Sequence, residues 1–131
     1  MSYTLTKIEG YELAVIDIDG DFGPAEILAV DQAVAAIRDE QEQALDTLFI
    51  VRPTLNLMLS ASDMRKFTAS TTETNHGRKR VFLLGSKHHH GMVRMLEGLR
   101  QASEGEFVLA YERSAAADAL GVPEHVLPAY P

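Results

Sequence analysis

Residues 81–103 read VFLLGSKHHHGMVRMLEGLRQAS. Four apolar residues, Val81, Phe82, Leu83 and Leu84, end at Gly85, and a short polar link through Ser86 and Lys87 to His90 follows. From Gly91 onward Met92, Met95, Leu96 and Leu99 recur at helical spacing. A continuous apolar run, a tight link and an amphipathic run are a buried strand, a turn and a helix, which is half of a βαβ unit.

Working outward, the same signals repeat. Upstream, LFIV at 48–51 and LAVIDI at 13–18 are short apolar runs of the kind that a strand covered on both faces requires. Between them Ile27, Val30, Val34 and Ile37 form one helical stripe, entered through Pro24, and the helix is expected to reach about Glu42. Residues 3–8 alternate and read as a half-exposed edge strand, antiparallel to 13–18 because the connection is short. Asp19 to Gly23 reads as a turn. Residues 55–59 alternate weakly, and a helix capped by Ser60 or Ser62 is expected over about 63–72. Downstream, FVLAY at 107–111 is the last buried strand, and a short helix from Ser114 to about Leu120 stops at Gly121. Residues 122–131 carry three of the chain's five prolines and are expected to lie over the surface without regular structure.

The expected order is β-β-α-β-α-β-α-β-α. It predicts one α/β domain over 1–131: a mostly parallel sheet of about five strands with right-handed crossovers and an antiparallel first strand.

Composition narrows the function. The chain has 131 residues, 46% hydrophobic and 24% charged, which suits a single packed domain. A formal net charge of −7 repels phosphate backbones, so no nucleic-acid partner is expected. The densest basic run, Arg78-Lys79-Arg80, reads as solvated charge before a strand. The absence of cysteine excludes disulfides, thiolate-bound zinc and thiol catalysis. No run reaches the roughly 18 apolar residues of a membrane span, and the N-terminus lacks the pattern of a signal peptide, so a cytoplasmic location is expected.

Three constellations have chemical potential. Asp17 and Asp19, two apart at the end of a buried strand, would share a face and suit Mg²⁺. The pattern Asp17-Ile18-Asp19-Gly20-Asp21 resembles the first motif of haloacid-dehalogenase-like phosphatases. Asp21 stands where that family has Thr, and its later Lys and acidic pair are missing. The plainer reading is a solvated strand end with a turn. Second, His88, His89 and His90 are candidate metal ligands in a loop, against the plainer reading of a polar loop with His90 partly packed. Third, Gly85, Ser86, Lys87, His88, His90 and Gly91 lie between a strand's carboxyl end and a helix N-terminus, where α/β proteins bind anions and other small ligands. No cofactor is implied.

Several local matches converge on one family. Asp19-Gly20-Asp21-Phe22 closes a strand before the first helix. Leu48-Phe49-Ile50-Val51-Arg52 is followed by Leu59-Ser60-Ala61-Ser62-Asp63-Met64. Val81-Phe82-Leu83-Leu84 is followed by the helix start Gly91-Met92-Val93-Arg94-Met95-Leu96-Glu97. Over about residues 5–121 the chain resembles the STAS superfamily of anti-sigma-factor-antagonist-like bacterial proteins and the related CRAL-TRIO-type fold. The resemblance implies a right-handed βα superhelix and a non-enzymatic regulatory or ligand-binding role, acting through a protein partner or a small ligand. It places the partner or phosphorylation surface at Ser60, Ser62, Asp63, Arg94 and Glu97. The Asp-Ser pair that carries the phosphorylatable Ser in anti-sigma-factor antagonists is not reproduced here. The edge strand at the N-terminus also suggests a homodimer.

Overall fold

In the computed structural model, which describes residues 3–41, 45–60, 62, 63, 65, 79–91, 94 and 107–129, apolar runs become strands wherever two layers of side chains must cover them. The elements in order are β1 (Tyr3–Lys7), β2 (Leu13–Ile18), β3 (Asp21–Phe22), α1 (Pro24–Gln41), β4 (Asp46–Val51), β5 (Asn56–Leu57), β6 (Arg80–Leu84), β7 (Phe107–Ala110) and α2 (Arg113–Leu120). One-turn 3₁₀ segments lie at Lys87–His89 and Glu124–Val126.

The main sheet has the order β1-β2-β4-β6-β7. β1 is antiparallel to β2, and every later pairing is parallel. From β2 onward the strands are added in chain order along one direction with parallel pairing, the arrangement of the expected βα superhelix, for which right-handed crossovers are the rule.

Side chains alternate across a strand, and the two faces build two cores. Ile16, Ile18, Phe49, Val51, Phe82 and Leu84 meet Ile27, Val30 and Val34 of α1 on one face. Phe49 and Phe82 stack at 4.7 Å between ring centroids. On the other face Leu13, Val15, Leu48, Ile50, Val81, Leu83 and Ala110 meet Ala116, Ala117 and Leu120 of α2. Every residue of β6 is buried between these layers.

Several expectations are corrected. Ile37 is only half-buried, so the buried stripe of α1 stops at Val34. Asp21–Phe22 is not only turn: it pairs in parallel with Asn56–Leu57, so residues 55–59 do contain a short strand. Arg80 is not solvated but is a buried member of β6. Ser114 does not cap α2; Glu112 precedes its first residue and makes no side-chain cap bond. The tail is not merely superficial. It contains a 3₁₀ turn at Glu124–Val126, and Leu127 is buried in the α2-side core. The expected helix over 91–103 and the stripe of Met92, Met95, Leu96 and Leu99 lie outside the described residues, except that Gly91 and Arg94 are helical. Most of the expected helix over 63–72 also lies outside them.

Candidate functional site

Because β2, β4, β6 and β7 are parallel, their carboxyl ends emerge on one side, and the chain's polar motifs gather there. The segment after β2 runs beside the segment after β4. The pairing Asp17↔Ile50 in the main sheet passes to Asp21↔Asn56 in the small one. The β4 side is thus two residues longer, and three side-chain pairs form between residues 35 apart in sequence.

The first pair is bidentate. Arg52 Nε donates to Asp17 Oδ1 at 3.0 Å and Nη2 to Oδ2 at 2.7 Å, which uses both carboxylate oxygens. In the second, Thr54 Oγ1 donates to Asp19 Oδ1 at 2.5 Å, and the Gly20 N–H donates to the same oxygen at 2.7 Å. These bonds stabilise the charged form. The Thr54 hydroxyl, then the Gly20 amide, hold the Asp19 carboxyl below its ordinary 3.8, with the Arg52 charge adding to the effect. In the third, Asn56 Nδ2 donates to Asp21 Oδ1 at 3.0 Å. Asp17 and Asp19, expected to be either metal ligands or a solvated strand end, and Asp21, expected in the turn, are each met by a side chain from the opposite segment, while Asp19 and Asp21 stay exposed. Among the described residues no group of three or more His, Asp or Glu side chains is placed to hold a metal ion.

The link after β6 is tied to the same loops. Gly85 donates its N–H to Val51 O at 2.9 Å, which extends the β4–β6 ladder. His90 is partly buried, in line with the partial packing expected for it, whereas among the described side chains His89 is the fully buried histidine, at 2% exposure. Its Nε2–H donates to the Leu55 carbonyl at 2.8 Å, a contact that fixes the proton on Nε2 because a carbonyl can only accept. His90 stacks on Tyr111, its Nδ1 hydrogen-bonds the Tyr111 hydroxyl, and Arg94 Nε donates to its Nε2 at 3.4 Å. His89 and His90 therefore serve different partners. Lys87 and Gly91 are exposed, and Gly85 and Ser86 are partly buried.

The helix start at Ser60, after β5, is built from its own residues. Ser60 Oγ accepts from Asp63 N at 3.1 Å, and Asp63 Oδ2 accepts from Ser60 N at 3.0 Å. This is a reciprocal capping box with Asp in the place usually taken by Glu. Ser60 is thus the cap and Ser62 is an exposed residue of the first turn. Glu97 lies outside the described residues. Sequence reasoning missed Arg52, Thr54, Asn56 and Tyr111 as members of this region. The first three had a signal: Arg-x-Thr-x-Asn has the same two-residue period as Asp-x-Asp-x-Asp.

No family model matches this chain, and no curated protein matches it. Similarity appears in three dimensions. An anti-sigma factor antagonist from Mycobacterium paratuberculosis superposes with a TM-score of 0.60 at 13% identity, covering 91% of this chain and 92% of that one. An uncharacterised protein with a SpoIIAA-like fold from Shewanella loihica gives 0.55 at 14% identity, covering 90% and 91%. The unphosphorylated anti-sigma factor antagonist SpoIIAA gives 0.52 at 12% identity, covering 88% and 94%. Identities this low establish shared architecture, and over nearly its whole length this chain has the STAS-like fold of the anti-sigma factor antagonists.

Proposed function

We propose that this chain is a non-enzymatic regulatory module of the cytoplasm that binds a protein partner at the carboxyl end of its sheet, around the helix start at Ser60, Ser62 and Asp63 with Arg94 alongside. The observation that carries this reading is the engagement of Asp17, Asp19 and Asp21 by Arg52, Thr54 and Asn56. Those carboxylates act as staples between two loops, so the polar end of the sheet is a shaped surface and not a set of reacting groups. The STAS-like fold supports the same reading, because two of the similar structures are named for antagonism of another protein. No helix among the described residues is long and apolar enough to cross a membrane. Ser62, exposed in the first helical turn, is the residue at which an added phosphate would change this surface most directly.

Affinity capture with paired variants tests the proposal. Immobilised wild-type chain should retain one host polypeptide in stoichiometric amount. Ser62→Arg should lose it, and Gln32→Arg on the exposed face of α1 should keep it. Retention by Ser62→Arg with loss by Gln32→Arg would move the surface elsewhere. Mg²⁺-dependent hydrolysis of a phosphate ester, abolished by Asp19→Asn, would overturn the non-enzymatic reading.

A further inference from the structure

β1 ends the main sheet: β2 pairs with one of its edges, and no described strand pairs with the other. Open edges present unpaired N–H and C=O groups, and proteins usually block them with proline, a bulge or well-placed charge. β1 has none of these. Its register with β2 is unbroken from Tyr3↔Ile18 to Lys7↔Ala14, and it contains no proline. Its one charge, Lys7, is turned back onto the carbonyls of Ile8 and Tyr11 of its own chain.

The strand is also complementary to itself. Antiparallel pairing of two copies centred on Leu5 sets Thr4 opposite Thr6 and Tyr3 opposite Lys7. Threonine pairs across strands are favourable, and no like charges face each other. The Lys7 stem can lie along the Tyr3 ring. A two-fold axis normal to the sheet keeps each face with its like. Leu5 and Tyr3, left partly exposed at the margin of the α1-side core, would then be covered by Leu5 and by the Lys7 stem of the other copy.

We infer that the free edge of β1 pairs antiparallel with β1 of a second copy, centred on Leu5, to give a closed two-fold dimer with one sheet running through both chains. An isologous contact of this kind closes at two, whereas head-to-tail pairing of β1 with β7 would propagate.

Sedimentation velocity across a concentration series, at low ionic strength, tests this. Wild type should pass from monomer to dimer and no further. Thr4 and Thr6 are exposed, so both can be changed without touching either core. Thr4→Lys with Thr6→Lys sets lysines opposite one another and should raise the dimer dissociation constant about tenfold. Thr4→Lys with Thr6→Glu sets opposite charges in register and should dimerise at least as well as wild type. Wild type that stays monomeric, species larger than a dimer, or two double variants that dimerise alike would each overturn the proposal. Circular dichroism melts matching wild type confirm that any loss of dimer comes from the edge and not from unfolding.

Discussion

Asp19 shows how a fully exposed carboxylate can still be specified by its neighbours. Two hydrogen bonds converge on one of its oxygens, and both favour the ionised form. Its folded pKa is therefore lowered, and its contribution to stability is present above the ordinary value of 3.8 and lost as pH falls through the folded value. Carbon-detected NMR titration should find Asp19 titrating below 3.8, and Thr54→Val should bring it back towards that value. An unchanged titration in Thr54→Val would show that the hydroxyl is not the main cause. Asp17 poses a different question, because its partner Arg52 is a charge. The pair is bidentate and its side chains are 31% and 23% exposed, so water screens part of the attraction. A double-mutant cycle with Asp17→Asn and Arg52→Gln should give a coupling of about 1 kcal/mol in urea unfolding, reduced by added salt.

At the scale of elements, alternation and period account for most of what the sequence made legible. β2, β4 and β6 are apolar on both faces, and only strands between two helical layers need that, so their burial could be read directly. Gly121 was legible for a local reason. It takes a left-handed conformation at φ 70°, and the N–H groups of Gly121 and Val122 close onto Asp118 O and Ala117 O, as a Schellman turn requires. Elements defined by a partner far away in sequence were not legible. β3 and β5 are two residues each, too short for any period, and each exists because the other lies beside it. The Ser60 cap was ambiguous because Ser62 also stands before a helix, and the reciprocal acid is Asp63 and not the usual Glu. Ser60→Ala should cost about 1 kcal/mol in urea unfolding, while Ser62→Ala should change stability by no more than a few tenths of that. Equal effects would mean that the cap is misassigned. The histidine loop was legible as a loop but not in its division of labour. Only the path of residues 52–55 decides that His89 meets the Leu55 carbonyl, whereas His90 turns to Tyr111.

At the scale of the whole molecule, the sheet has two faces and the chain must cover both. Among the described residues, the α1 side is packed by a helix of 18 residues, whereas the helix packed on the other side, α2, has eight. Its buried positions are Ala116, Ala117 and Leu120, two of them small, so α2 alone supplies little apolar volume. The C-terminal segment makes up part of the difference. After Gly121 the chain turns, the Glu124–Val126 turn is held by Val126 N to Pro123 O at 3.1 Å, and Leu127 is delivered into the core at 4% exposure. Proline, which ruled out regular structure from the sequence alone, here fixes the turn that aims this leucine. If the segment is part of the core, Leu127→Ala should destabilise the protein by about 3 kcal/mol, the cost of a buried cavity. Ala129→Ser, at an exposed position two residues on, should be silent. Truncation after Gly121 should cost at least as much as Leu127→Ala, and chemical unfolding of the three variants separates the outcomes. A truncated chain as stable as wild type would show that this face is covered without the C-terminal segment. A loss confined to Leu127→Ala and the truncation would make residues 122–127 a structural part of the domain, so that a partner docking against α2 would meet this segment as well.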